Sequence, residues 1–252
     1  MPRFFLRQNS IEDGHVTVEG DDARHIARAL RMAVGDSLTV CDMQGNEYNC
    51  VITAFDEDVR VSADIVSVKA PENEPLCRIR LFQALPKGDK LDTVIQKAVE
   101  CGVSEIYPFE SERCIVKVKA DAEERKTQRR EKISEEAAKQ CGRSAIPTVS
   151  RTVSFSEMIS RATESDICLF CYEGDGTVPL GRVLSERLVA DGEGRYPDVS
   201  VVIGSEGGFS QREVAEAEAA GMIKIGLGRR ILRTETASGF VLSCIVCATE
   251  LS

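Results

Sequence analysis

From Arg78 onward, short apolar runs alternate with longer amphipathic ones, and no other feature restricts the fold as tightly. The runs "RIRLFQAL", "VSEIYPF", "DICLFCYE", "VSVVIG" and "IKIGL" have strand length and apolar or β-branched content. In "DKLDTVIQKAVECG", Leu91, Val94, Ile95, Ala98 and Val99 share one helical face, and Gly102 stands just past the helix end. A long mixed-charge helix "AEERKTQRREKISEEAAKQCG" follows, then "SFSEMISRA", which carries the capping-box spacing Ser154-x-x-Glu157. "LGRVLSERLVA", "SQREVAEAEAAG" and a final helix from about Glu235 continue the alternation. Alternating β and α units imply a parallel sheet covered on both faces, so the fold class is α/β.

Before Arg78 the rhythm differs. "RFFLR", "HVTVEG", "DSLTVCD", "EYNCVITAF" and "VRVSADIVSV" read as short strands separated by Gly, Asn and Asp turns. One short helix, "DDARHIARALRM", interrupts them, with Asp21 or Asp22 as N-cap. This pattern predicts a small barrel-like module over residues 1–69. The polar, proline-bearing "APENEP" predicts a linker over 70–77, and the α/β domain occupies 78–252.

A formal charge of -9 excludes a generally basic nucleic-acid coat protein, so any polyanion must be met by local patches. "MPRFFLRQNS" has no sustained apolar stretch, and the longest apolar runs are too short to span a bilayer. Ten cysteines then read as reduced thiols of a cytoplasmic protein. Cys168-x-x-Cys171 and Cys244-x-x-Cys247 have zinc-site spacing but lie in apolar runs. They read as core residues of a buried strand and a buried helix, with no metal.

Two loops carry the chemistry. "VVIGSEGGFS" takes an apolar strand into a glycine-rich turn, where backbone can approach a ligand closely. Neither the dinucleotide fingerprint nor the P-loop spelling fits residues 204–208. Glu206 would repel the phosphates that both motifs hold at a helix N-terminus. A ligand with ribose hydroxyls, an amino group or a cationic centre suits this loop better, although alone it also fits a plain strand-to-helix turn. Ser210-x-x-Glu213 is a second capping box, with Phe209 and Val214 placed as a hydrophobic staple. The other loop, Gly228 to Ser238, also follows a strand, and in parallel α/β sheets ligands collect at those strand ends.

Five stretches in order, "LPKGDKLDTVIQKAVECGVSEI", "SERCIVK", "EAAKQCGRSAIP", "IGSEGGFSQREV" and "LGRRILRTETA", closely resemble the RsmE-type 16S ribosomal RNA (uridine-N3) methyltransferases of the SPOUT superfamily. The resemblance covers residues 78–252, and the N-terminal β module matches that family's PUA-like, RNA-binding domain. It implies a SPOUT-type parallel sheet with a C-terminal trefoil knot, a homodimer, and S-adenosylmethionine as cofactor. The cofactor loops carry over to Tyr172 and Glu173; to Ile203, Gly204, Glu206, Gly207 and Gly208; and to Leu227, Gly228, Ile231, Leu232, Arg233, Thr236 and Ala237. Ser205 stands where the family usually has proline.

The implied reaction methylates N3 of a uridine in small-subunit ribosomal RNA. Another RNA position, or an inactive RNA-binding module, is the alternative. Arg233 and Glu235 are the candidate catalytic residues. Arg233 either stabilises charge on the uracil or grips phosphate, and Glu235 either takes the N3 proton or caps its helix. His15 and His25 lie away from the strand ends. Candidate RNA contacts are Arg3, Arg7, Arg24, Arg28, Arg31, Lys87, Lys90, Arg113, Lys117 and Arg143, with Lys119 beside them.

Overall fold

The computed structural model describes residues 1–6, 10–56, 60–117 and 120–251. Its internal contacts divide into two units: Met1–Glu74 with Ala138–Ile146, and Pro75–Ala137 with Pro147–Ser252.

The first unit is built from β1 (Arg3–Phe5), β2 (Ile11–Glu12), β3 (His15–Glu19), α1 (Gly20–Arg24), β4 (Ser37–Cys41), β5 (Glu47–Asp56) and β6 (Arg60–Lys69). Its strand order is β1-β4-β5-β6-β3-β2, antiparallel except where β1 runs parallel to β4. Period-two alternation turns Val16, Val18, Val61 and Ala63 inward to meet Phe4, Leu38, Val40 and Ile52. The predicted helix is shorter and less regular than expected. Glu19 is the N-cap with no side-chain cap bond, Asp21 and Asp22 sit in the first turn, and a π-helical turn continues over His25–Ala29. Gly20 at φ 68° opens the helix, which displaces both aspartates from the cap position.

The residues that close this unit come from elsewhere in the chain. Glu47, 1% exposed, accepts from Arg3 Nη1 at 2.7 Å and from the Ser144 hydroxyl. Glu74 accepts from Arg143 Nη2 at 2.7 Å and from the backbone N–H groups of Ser144 and Ala145. Burial alone would raise the Glu47 carboxyl pKa. Hydrogen bonds from Arg3 and Ser144 outweigh that and hold it below the usual carboxylate range.

The second unit contains β7 (Ile79–Ala84), α2 (Lys90–Glu100), β8 (Glu105–Glu110), α3 (Ala120–Cys141, whose last turn belongs to the first unit), β9 (Thr148–Val149), β10 (Val153–Ser154), α4 (Phe155–Ala162), β11 (Ile167–Cys171), β12 (Val178–Pro179), α5 (Leu180–Arg187), β13 (Val199–Ile203), α6 (Gln211–Ala219), β14 (Ile223–Gly226) and α7 (Thr234–Glu250). Strand order is β10-β8-β7-β13-β11-β14-β12, with β9 also on β8, and every pairing is parallel. All residues of β13 are buried, as a strand covered on both faces requires.

The predicted apolar face of α2 is the buried one, and Gly102 adopts φ 81° beyond its end. The last helix departs from expectation. α7 buries Ala237, Val241, Leu242 and Ile245 against α2, α5 and β13 but leaves Phe240 42% exposed and Cys247 exposed, because apolar residues lie all round the helix and its neighbours do not cover every side. Cys168 and Cys171 lie in β11, and no group of three or more metal-ligating side chains occurs among the described residues. No helix of the described residues is long and apolar enough to cross a membrane.

Candidate active site

Three neighbouring parallel strands, β13, β11 and β14, end side by side, and the loops that leave them surround a cavity of about 680 Å³. The loop after β13 is a tight turn in which Gly208 N–H donates to Ser205 O at 2.9 Å and Gly208 takes φ 63°. Its exit is fixed by a reciprocal capping box: Glu213 N–H donates to Ser210 Oγ, and Ser210 N–H to Glu213 Oε2. Glu213, 1% exposed, also accepts from Glu112 N–H at 2.8 Å, so the same carboxylate anchors the loop after β8. That loop delivers Arg113, whose guanidinium donates to Gly207 O at 3.1 Å.

A buried node joins the turn to α7. Thr234 Oγ1 donates to Gly204 O at 2.6 Å and accepts from Gln83 Nε2 at 2.8 Å. Gln83 is fully buried and Thr234 is 5% exposed. Thr234 stands in a loop that is unusual for a plain connector, whereas the only sign of Gln83 is a polar side chain inside the apolar run "RIRLFQAL".

Of the residues carried over as cofactor contacts, Tyr172, Glu173, Ile203, Gly204, Glu206, Gly208, Leu227, Gly228, Ile231, Leu232, Arg233 and Ala237 line the cavity. Gly207 and Thr236 do not. A Cβ on Gly207 would lie 3.0 Å from Arg113 Cβ and 3.2 Å from Arg113 O, so this glycine makes room for the β8 loop. Thr236 is exposed on the first turn of α7. The wall also contains Ser205, Phe209, Gln211, Arg229 and Arg230. Glu235 lies off the wall; Lys90 Nζ, which is on it, approaches Glu235 Oε2 at 3.4 Å.

Lys90 Nζ also donates to Glu206 Oε1 at 2.8 Å, and Lys87 N–H reaches both oxygens of that carboxylate. Burial alone would raise the Glu206 pKa, but Lys90 and the backbone donors hold it below the usual carboxylate range. Glu206 is therefore an anion in the wall. The side chains of Arg229, Arg230 and Arg233 are exposed at the same cavity and have no ion-pair or hydrogen-bond partner among the described residues. Ser205 Oγ, on the wall, is buried without a hydrogen-bond partner among the described residues, and Glu235 Oε2 is buried with the ion pair to Lys90 in place of a hydrogen bond.

This arrangement suits a nucleoside better than a polyphosphate. Carboxylates, a free hydroxyl and open backbone meet hydroxyl and amino groups, while the unpaired arginines offer a separate anion-binding rim.

The comparisons agree with that chemistry. Residues 72–246 match the RNA methyltransferase domain family, and residues 18–58 match the RNA methyltransferase PUA domain family. Ribosomal RNA small subunit methyltransferase E of Bacillus subtilis is 32% identical over 254 aligned positions, covering 100% of this chain and 98% of the relative. The chain belongs to the ribosomal RNA small subunit methyltransferase E family. The Mesomycoplasma hyopneumoniae member is 34% identical over 73% of the chain and 76% of its own length. The family's Neisseria gonorrhoeae structure, bound to S-adenosyl methionine, superposes with TM-score 0.81 at 29% identity, covering 97% of this chain and 96% of that one. A Legionella pneumophila structure in complex with the cofactor SAM gives TM-score 0.84 at 29% identity, covering 98% and 97%.

The basic residues expected to contact RNA fall in different environments. Arg24 and Arg31 are exposed on the first unit, Arg24 in an ion pair with Asp21. Arg28 is exposed there too. Lys87, Arg113 and Lys117 are exposed on the second unit, Lys117 3.5 Å from Glu110. Arg3 and Arg143 are instead drawn into buried ion pairs with Glu47 and Glu74, with side chains 12% and 6% exposed. Lys90 is turned to the cavity. Arg7 and Lys119 lie outside the described residues.

Proposed function

We propose that this chain transfers a methyl group from S-adenosylmethionine to N3 of a specific uridine in 16S ribosomal RNA. The observation that carries the reading is the cavity at the ends of β11, β13 and β14, with anionic and open-backbone groups inside and unpaired arginines at its rim. A volume of about 680 Å³ is in the range of small-molecule and cofactor sites. Bound there, S-adenosylmethionine supplies a methyl group on a sulfonium, already an excellent leaving group. What remains for the protein is alignment and charge placement.

Tyr172, Glu173, Gly204, Ser205, Glu206 and Gly208 would hold the cofactor together with Leu227, Gly228, Ile231, Leu232 and Ala237. Glu206 and Glu173 provide negative charge that suits a cationic centre and ribose hydroxyls. Arg233 donates to the uracil carbonyl oxygens, stabilising the anion that forms as N3 loses its proton. Glu235 receives that proton by way of a water, since its carboxylate lies off the wall. Arg113, Arg229 and Arg230 hold RNA phosphate at the rim, and Arg24, Arg28 and Arg31 contact RNA separately on a PUA-like module comprising residues 1–69, followed by a 70–77 linker and a methyltransferase domain over 78–252.

The reading includes a cytoplasmic homodimer and a trefoil knot in the C-terminal part. Support for self-association comes from Phe240, 42% exposed beside an apolar groove of about 260 Å³ that includes Leu180, Leu184 and Cys244. Light scattering tests it: Phe240→Glu is expected to give a monomer, and a wild-type monomer would refute it.

Two measurements test the function. Calorimetry with S-adenosylhomocysteine should show binding to the purified protein; none at high protein concentration sinks the enzyme reading. Mass mapping of ribosomal RNA from a deletion strain, with and without complementation, should show one methyluridine lost and restored.

A further inference from the structure

Lys90 occupies an unfavourable place for a lysine. It is the first residue of α2, where the helix dipole opposes a cation, and its N-cap Asp89 makes no side-chain cap bond. Its side chain is nevertheless only a third exposed, and its ammonium spans two carboxylates from distant parts of the chain. Glu206 of the β13 turn lies at 2.8 Å and Glu235 of α7 at 3.4 Å. Lys87 N–H, from the same loop, completes the hold on Glu206. Two carboxylates converging on one point repel each other unless a cation stands between them. The other charged groups around the turn do not take that place. Arg113 is engaged with Gly207 O, Arg233 is exposed, and Glu173, from the β11 loop, adds a further negative charge.

We propose that Lys90 is a positioning residue for methyl transfer: by bridging Glu206 and Glu235 it fixes the β13 turn against the start of α7 and keeps both carboxylates in place beside the reacting groups. This rests on the methyltransferase reading of the cavity, and it takes Lys90 out of the set of RNA phosphate contacts. The same ammonium keeps Glu206 ionised, so its removal raises the pH at which that carboxylate takes up a proton.

The test compares Lys90→Met and Lys90→Arg with wild type in the full-length protein. It measures methyl transfer to a ribosomal RNA fragment across pH and salt, S-adenosylhomocysteine affinity, and the carbon-13 titration of the Glu206 carboxyl. Lys90→Met is expected to lower kcat by about tenfold or more through lost alignment. Its KM for RNA, and the salt dependence of that KM, should stay at the wild-type values. The Glu206 carboxyl should titrate at higher pH, and the acid limb of kcat should move with it. Lys90→Arg should recover part of the lost kcat, since it keeps the charge.

A raised KM with kcat retained, and a salt slope shallower by about 0.7–0.9, would mark Lys90 as a phosphate contact and overturn the proposal. An unchanged Glu206 titration in Lys90→Met would overturn it as well. Wild-type protein that binds no S-adenosylhomocysteine refutes the methyltransferase reading itself. Wild type that binds, with Lys90→Met kinetics unchanged, refutes only the role of Lys90.

Discussion

Replacing Thr234 by Val keeps the shape of a buried side chain and removes its hydroxyl. Two groups then lose a partner: Gly204 O loses its 2.6 Å donor, and Gln83 Nε2 keeps only Ala84 O at 3.0 Å. The Gly204 carbonyl left unpaired costs about 1–3 kcal/mol, and the loss of one of the two hydrogen bonds of Gln83 Nε2 costs about 0.5–1.5 kcal/mol more. The extra methyl group returns about 0.8 kcal/mol if it packs. The net destabilisation is therefore roughly 1–4 kcal/mol, centred near 2. Thr234→Ser keeps both hydrogen bonds and deletes one methyl, at about 1 kcal/mol. Urea unfolding followed by circular dichroism separates the two variants. Because the node joins the β13 turn to α7, Thr234→Val should also weaken S-adenosylhomocysteine binding under native conditions, whereas Thr234→Ser should not. A Thr234→Val protein no less stable than Thr234→Ser would refute the claim that this hydroxyl braces the site.

Other outcomes follow from the same geometry. Gly208→Ala places a methyl at φ 63° in the cavity wall, at about 1–2 kcal/mol of backbone strain, and calorimetry should show S-adenosylhomocysteine affinity reduced with the fold retained. Gly207→Ala, whose Cβ meets Arg113 instead, should act on RNA binding more than on the cofactor. Arg229→Ala with Arg230→Ala should raise the KM for RNA and make its salt slope shallower by about 0.7 per lost contact, with cofactor affinity unchanged. Glu47 has a folded-state pKa below its unfolded value near 4.5, so its contribution is complete above that range and is lost as pH falls below it. Glu47→Gln should remove that part of the acid limb in urea titrations as pH falls from about 5, and cost about 3–5 kcal/mol near neutrality.

What the sequence disclosed follows the range of the interactions involved. The α2 face, the β13 run "VSVVI" and the Ser210–Glu213 box are set by residues a few positions apart, and each is legible in the string. The position of the Gly204–Gly208 turn is legible too, because a strand end is a local feature. The other tie made by Glu213, to Glu112 at 101 residues' separation, leaves no local mark, and neither does the Gln83–Thr234 contact across 151. The same reason explains Arg3 and Arg143. Each looks like a surface cation until Glu47 and Glu74, 44 and 69 residues away, are brought against them. Around α7 the limit is different. Apolar content identifies a helix that seeks burial, but not which side the sheet covers, so the exposure of Phe240 could not be read.

The return of Ala138–Ile146 to the first unit bears on how this protein can be inherited and synthesised. The N-terminal module is not a cassette. A gene cut after Glu74 encodes a carboxylate whose guanidinium partner, Arg143, is missing, and a Glu47 deprived of Ser144. On the ribosome the module must wait for about two fifths of the following domain to emerge before its last contacts can form. Recombination that exchanges this module between genes must therefore carry two separated pieces of sequence, a requirement that favours the inheritance of both domains together.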